Sequence, residues 1–290
     1  MNANPRSRLL HLILIAALAI VPLGVMAQNH SDIWWNPAEA GRGLVVIDHE
    51  SDLFVAWCTY DPTGSSTWYV IPGGRLSEDH RRFEGTLYQA RLPDPDSFAS
   101  MVALPVGTAA IDFVPGNVAA ASARFSIKWS SGAQLAETHE LVRQPFGSAA
   151  PQWGTDATDL WWDPKQPGWG LAVVQHGDAL FALYLTYDYT GEPAFYPIPA
   201  RRTAGVVTAH PHESQFDGEI YSINAGRATF DPRTLGVQRL AAATLNFWGD
   251  ATASPDRMQL MLLQPHATAL GLSRMPFGSP KKDALERISP

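Results

Sequence analysis

The side chains in this chain best suited to recognising a ligand are aromatic. Ten tryptophans occur in 290 residues, and four of them form two adjacent pairs, Trp34-Trp35 and Trp161-Trp162. An indole offers a wide apolar face with one polar edge, which suits a sugar ring or another flat ligand. Neighbouring side chains on a strand point to opposite faces. One Trp of each pair can therefore fill a core while the other lines a surface or a cavity. Trp57, Trp68, Tyr184 and Phe195 extend the aromatic set. The competing reading is a Trp plug that seals the end of a barrel. Gly41-Arg42-Gly43 and Gly168-Trp169-Gly170 follow the pairs and let backbone come close, including to the indoles.

Histidine supplies the next candidates. His49 and His176 occupy equivalent places, each at the end of the strand that follows a Gly-x-Gly turn. They are candidate ligand contacts that β architecture alone does not explain. His210-Pro211-His212-Glu213 lies in a loop, but a metal site needs three or four ligands at fixed spacing, so no metal or cofactor is predicted there. His139 and His266 read as ordinary polar strand or loop residues. Asp61 and Asp188 are accounted for by turns, and Glu84 and Asp217 by a solvated strand face. No nucleophile elbow, zinc-protease helix, phosphate loop or Ser-x-x-Lys is present, so catalysis has no motif behind it. A hydrolase would need His49 to cluster with Glu39 or Asp48 in a deep cleft.

These residues fall into a repeat. Asp32 to Leu76 aligns without a gap with Asp159 to Thr203, with 20 identities in 45 positions. The shift pairs Trp57 with Tyr184, Trp68 with Phe195 and Tyr69 with Tyr196. It also pairs Cys58, the one cysteine, with Leu185, so Cys58 reads as a small core residue and the chain has no internal disulfide. Two units follow, residues 31–147 and 158–278, each ending in Pro-Phe-Gly. A small polar linker, 148–157, separates them. The shared ending suggests one tie-down used twice.

Within each unit the period is two. Phe54, Ala56, Cys58 and Tyr60 alternate with Val55, Trp57 and Thr59; Ala123, Phe125, Ile127 and Trp129 alternate with Arg124, Ser126 and Lys128. Strict alternation marks half-buried strands. Tyr60-Asp-Pro-Thr-Gly64 and Tyr187-Asp-Tyr-Thr-Gly191 set Asp and Gly where a tight turn uses them. Strands are expected near 34, 44–49, 53–60, 66–71, 83–89, 107–113, 118–129 and 134–143. The fold class is all-β: two tandem antiparallel up-and-down meander units, each a small barrel or a sandwich, with one continuous structure as the alternative. A transmembrane barrel also alternates, but Arg124, Ser126 and Lys128 opposite a narrow apolar stripe suit a small packed core better.

Residues 1–27 have the layout of a cleaved secretory leader: Arg6 and Arg8, an apolar run from Leu9 to Ile20, then Val25-Met26-Ala27. A membrane anchor is the alternative, but the run is short of the ~20 apolar residues a span needs. No transmembrane segment is expected after cleavage. Losing the two arginines takes the formal net charge from −7 to −9. An acidic chain without a basic stripe is not expected to bind nucleic acid. Residues 279–290 form a polar tail. The protein is expected in the periplasm or outside the cell.

The run Trp-Trp-Asn-Pro-x-x-x-Gly-x-Gly (34–43), Phe54, Thr-Tyr-Asp-x-x-Gly (59–64) and Trp-Tyr (68–69) resembles a Trp-rich repeat of exported bacterial proteins with no established activity. Copy two departs from it at Asp163 and Phe195. The resemblance implies export and a β-rich repeat and transfers no catalytic residue. The meander pattern is also similar to that of avidin-like and lipocalin-like barrels. The leading expectation is non-catalytic binding of a glycan or small ligand through the aromatic residues of each unit. A structural or protein-interaction role in the cell envelope, with an envelope protein as partner, is the second, and a hydrolase with an unrecognised site the third.

Overall fold

The fold was obtained as a computed structural model, and residues 29–49, 52–114, 121–132, 136–147, 156–166, 168–203, 213–225, 232–249, 257–263 and 268–274 are described. The leader, most of the linker, His210, His212, His266, the second Pro-Phe-Gly and the polar tail lie outside them.

Unit 1 contains β1 (Asp32–Trp35), β2 (Gly43–His49), β3 (Asp52–Tyr60), β4 (Ser66–Ile71), β5 (Arg75–Leu76), β6 (Arg82–Arg91), β7 (Val102–Val114), β8 (Ser122–Trp129) and β9 (Ala136–Arg143). Unit 2 contains β10 (Asp159–Trp162), β11 (Gly170–His176), β12 (Ala179–Tyr187), β13 (Pro193–Arg202), β14 (Ser214–Asn224), β15 (Gly236–Trp248), β16 (Arg257–Leu263) and β17 (Thr268–Arg274). Within each unit, neighbours in sequence pair antiparallel except β4 and β5, and the first strand returns to the last: Trp34 lies opposite Arg143, and Trp161 opposite Arg274. Unit 2 is a closed eight-stranded barrel. Unit 1 closes less fully, since β4 meets β6 only at Val70 and Tyr88, while the short β5 runs beside β6. Both units are thus barrel-like and not sandwiches, and closure removes the free sheet edges in unit 2 and nearly does so in unit 1. The sequence pattern did not show β5, which is too short to have a period.

Each barrel is filled by the inward set of its alternation. Barrel 1 holds Trp34, Leu44, Val55, Phe83, Ile111 and Phe125. Barrel 2 holds Trp161, Leu171, Phe216, Leu245, Phe247 and Leu260. Outside barrel 1, Arg82 bonds Asp112 and Arg124 bonds Glu140, exposed pairs that contribute little each. The turns form as their chemistry requires. Asp61 Oδ1 accepts from Thr63 N at 2.8 Å, Asp188 Oδ1 from Thr190 N at 2.8 Å, and Gly64 and Gly191 take φ of 87° and 82°.

A third core lies between the barrels. β3 and β12 were expected to be half buried, yet both faces of these strands are buried along most of their length. Val55 and Trp57 point into barrel 1, while Ala56, Cys58 and Tyr60 point out of it, onto Leu183, Leu185 and Phe195 of unit 2. Cys58 is therefore a seam residue, and burial pushes its thiol pKa up. The seam contacts are reciprocal, as in an isologous dimer. His49 Nε2 meets Asp159 Oδ1 at 3.1 Å, and His176 Nε2 meets Asp32 Oδ1 at 3.2 Å. Leu92 N donates to Gly191 O at 2.8 Å, and Ala225 N to Gly64 O at 2.9 Å. A Cβ on Gly41 would come 2.6 Å from Leu235, and one on Gly168 2.8 Å from Met101. Tyr60 and Tyr187 brace those glycine turns, donating to Gly41 O at 3.0 Å and Gly168 O at 2.8 Å. Several positions kept identical between the two copies, Asp32, Gly41, His49, Tyr60 and Gly64, build this seam, while Trp34, Leu44, Val46, Leu53 and Ile71 fill the barrel. The single described Pro-Phe-Gly ending joins it, with Phe146 stacked on His176 at 4.0 Å.

Candidate functional site

One end of barrel 1 carries a polar cluster that its packing does not require. The cleft there is lined by Asn36, Glu39, Arg42, Gly43, Leu44, Trp57, Phe125, His139 and Leu141. Local rules put these groups in place. Asn36 caps the one-turn 3-10 helix Pro37–Glu39, accepting from Ala38 N at 2.9 Å, with Pro at the first helical position. That turn carries Glu39 across the mouth. On β9, Glu137, His139, Leu141 and Arg143 share the inward phase of the alternation. Register sets Phe125 opposite His139. Trp129, the last residue of β8, donates its Nε1–H to Glu137 Oε1 at 2.7 Å.

His139 is the hub. Its Nδ1 lies 3.1 Å from Glu39 Oε2 and its Nε2 3.2 Å from Glu137 Oε2. A neutral imidazole has one N–H, so only the imidazolium donates to both carboxylates. The hydrogen bond to Glu137 leads in raising the His139 pKa, and together with the charges of both glutamates it outweighs burial. Burial pushes Glu137 up, but the bonds from His139 and Trp129 hold it below the usual carboxylate value. Burial draws Arg42 down, opposed by the charges of Glu39 and Glu137. Beneath this rim sits Trp57, stacked on Tyr69 at 5.2 Å and touched by Phe125 at 5.6 Å and Trp129 at 5.9 Å.

The sign of the pH dependence follows. A raised histidine contributes fully below its unfolded value of 6.5 and loses that contribution as pH climbs through the folded value. The depressed Glu137 contributes above its unfolded value of 4.5 and fails as pH falls through its folded value. His139→Gln is therefore expected to cost roughly 1 kcal/mol near pH 6, a figure discounted for the partly solvated partners. The cost should shrink as pH rises toward 9. Urea titrations of both proteins across that range check it, and a difference independent of pH would mean that no proton is held there.

Barrel 2 lacks the cluster. The repeat shift puts Gln166 at Glu39, Trp169 at Arg42 and Tyr184 at Trp57. The strand register puts Leu270 at His139 and Thr268 at Glu137. Trp169 is buried in the barrel core, edge-on to Tyr184 at 5.8 Å, with Phe98 of unit 1 at 6.0 Å.

The aromatic and histidine candidates read from sequence are thus dispersed. Trp34 and Trp161 are core residues, 1% and 0% exposed, whose Nε1–H groups donate to His30 O and Ala157 O at 3.0 Å each. They are interior plugs, with no face open to a ligand. Trp35 and Trp162 are half buried beside Gly43 and Gly170. Those glycines admit the backbone carbonyls of Trp34 and Trp161, at 2.7 and 2.5 Å from a notional Cβ, and not the indole faces. Trp68 and Phe195 belong to the seam, where Trp68 Nε1 donates to Thr186 O at 2.8 Å. His49 and His176 serve the seam also, and His49 pairs with Asp159 there. Only Trp57 and Tyr184 stand in barrel mouths. Sequence reasoning missed Glu39, Arg42, Tyr69, Trp129, Glu137 and His139 as a set. His139 is no ordinary strand residue, because it shares the inward phase with Leu141. The usable signal was a charged pair, Glu137 and His139, on the inward phase of a closed barrel, replaced by Thr and Leu in the other copy.

Among the described residues no group of three His, Cys, Asp or Glu side chains converges as a metal site. No protein family, curated protein or solved structure matches this chain.

Proposed function

We propose that this is an exported, non-catalytic binding protein whose ligand site is the mouth of barrel 1. One observation carries the reading: barrel 1 keeps an inward, hydrogen-bonded charge cluster above an apolar floor, and the same place in barrel 2 is filled by Trp169. A structural end-plug is met by the Trp solution, so the costlier polar one needs another reason to be kept. The asymmetry favours one site per chain over two weak sites acting together.

The cleft encloses about 220 Å³ counted out to its open mouth, but inside the rim there is room for about one water molecule. A ligand enters when the His139–Glu39 bridge releases and the Pro37–Glu39 turn lifts. It then meets Leu44, Trp57, Phe125 and Leu141 on the floor. The rim charges are matched to one another, Glu39 and Glu137 against His139 and Arg42, so a net charge on the ligand finds no free counter-charge. This suits a small neutral molecule, such as a sugar terminus or a small alcohol with an apolar edge. The lining holds no serine, threonine or cysteine to act as a nucleophile, which supports binding without covalent chemistry.

The sharpest test makes barrel 1 copy barrel 2. Arg42→Trp is expected to fold and to weaken binding at least tenfold for any neutral saccharide or phenol that the wild type binds, read by ligand-observed NMR. Equal binding by Arg42→Trp, or no binding by the wild type across a glycan array and a phenol panel, rules the site out.

A further inference from the structure

Beyond ligand binding, the seam itself has the properties of a recognition surface. Each barrel closes through its own strands, and no strand pairing crosses between units among the described residues. Two backbone hydrogen bonds, the Trp68 bond to Thr186 O, two His–Asp pairs, the exposed Arg91–Glu192 pair and one apolar core do. We infer that the seam is an interface specific for the sister unit: units 1 and 2 recognise each other as separate bodies, and the chain is a heterodimer carried on one polypeptide.

The partner is fixed by volume more than by charge. Two of the charged seam pairs are an Asp with a His, and each unit owns one of each, so two copies of unit 1 would satisfy them equally well; the third, Arg91 with Glu192 at 3.5 Å, is exposed and contributes little. The apolar positions differ. Trp68 in unit 1 takes the place that Phe195 takes in unit 2, Cys58 that of Leu185, Leu92 that of Ala225 and Met101 that of Leu235. Trp68 rests 5.9 Å from Tyr187, while Tyr60 rests 6.2 Å from Phe195. A pair of unit 1 copies would set two indoles where one indole and one phenyl now fit, and Leu92 where Ala225 now lies. A pair of unit 2 copies would leave both places underfilled and lose the Trp68 hydrogen bond. Cores are sensitive to such changes in both directions.

The test uses the whole chain, with residues 148–155 replaced by a recognition sequence for a site-specific protease. After cutting, native mass spectrometry at micromolar concentration should find one complex of unit 1 with unit 2. On mixing with cut protein whose unit 1 is isotope-labelled, label should exchange only into unit 1–unit 2 pairs. Asp32→Ala in the cut protein should weaken the pair at least tenfold. Separation into monomers, pairs of identical units, or aggregation on cutting would each overturn the inference. So would an association indifferent to Asp32→Ala, because the halves would then be held elsewhere. Loss of ligand binding alone would not touch it.

Discussion

Replacing Asp32 by alanine is expected to destabilise the protein by about 3–5 kcal/mol, the range for stripping one partner from a buried charge pair. Asp32 is 1% exposed. Its carboxylate lies 3.2 Å from His176 Nε2 and 3.6 Å from an Arg143 terminal nitrogen. Arg143 is itself buried, its guanidinium 4.9 Å from the Trp34 ring centre. Burial draws the Arg143 pKa down, and the charges of Asp32 and Asp48 oppose it. Without Asp32 that guanidinium keeps the Asn29 carbonyl, the Trp34 ring and the more distant Asp48 as compensation, in a largely buried place. The loss also removes one of the two His–Asp contacts across the seam. Asp32→Asn should cost less, because its side-chain oxygen can still accept from Ile33 N, now at 2.8 Å. Glu140→Ala, which breaks an exposed pair with Arg124, should cost under ~1 kcal/mol. Urea unfolding of the three variants orders them. An Asp32→Ala protein within ~1 kcal/mol of wild type would show that the buried cluster contributes no net stability.

Trp161→Ala is expected to cost a similar amount, about 3–5 kcal/mol, for a different reason. The side chain is fully buried in barrel 2, 5.2 Å from Phe247 and edge-on to it. Removal leaves a cavity that a closed barrel cannot collapse into, since its strands are fixed to neighbours on both sides. Trp161→Phe separates the contributions. It retains most of the apolar area but strands Ala157 O, now bonded at 3.0 Å, for a cost of roughly 1–3 kcal/mol. Trp34→Ala should behave in the same way in barrel 1. The half-buried Trp35 and Trp162 should each cost clearly less on truncation. If Trp35→Ala proved as damaging as Trp34→Ala, the division of each pair into an inner and an outer member would be wrong.

That division was legible before any coordinates. Trp34 and Trp35 are adjacent on a strand, so one had to face inward. The strand list was legible also, because turn chemistry is local: Asp61 and Gly64 close their hairpin through bonds spanning four residues. The expected segments 44–49, 53–60 and 66–71 match β2, β3 and β4 within a residue. What could not be read was the destination of an apolar face. In β3 both alternation sets are apolar, and a period of two shows that the faces differ without showing what each one meets. One lines the barrel and the other meets the sister unit. Trp68 and Phe195 were read as candidate ligand contacts because both copies keep an aromatic there, and His49 and His176 because a histidine kept in both copies had no local explanation. Their explanation is a contact between residues more than a hundred positions apart, such as His49 with Asp159.

By itself, the sequence determined the duplication, the period-two strands, the turns between them and the inner and outer members of each Trp pair. The duplication is read by comparing one copy with the other, and the rest depend on neighbours a few positions away. Only the tertiary structure decided that the repeated residues build a seam, and that Glu39, Arg42, Glu137 and His139 meet at one mouth. Barrel closure brings β9 beside β1, and so carries His139 across to Glu39, a hundred residues away in the chain. No local pattern encodes that distance, because it is set by how many strands the sheet needs before it returns on itself.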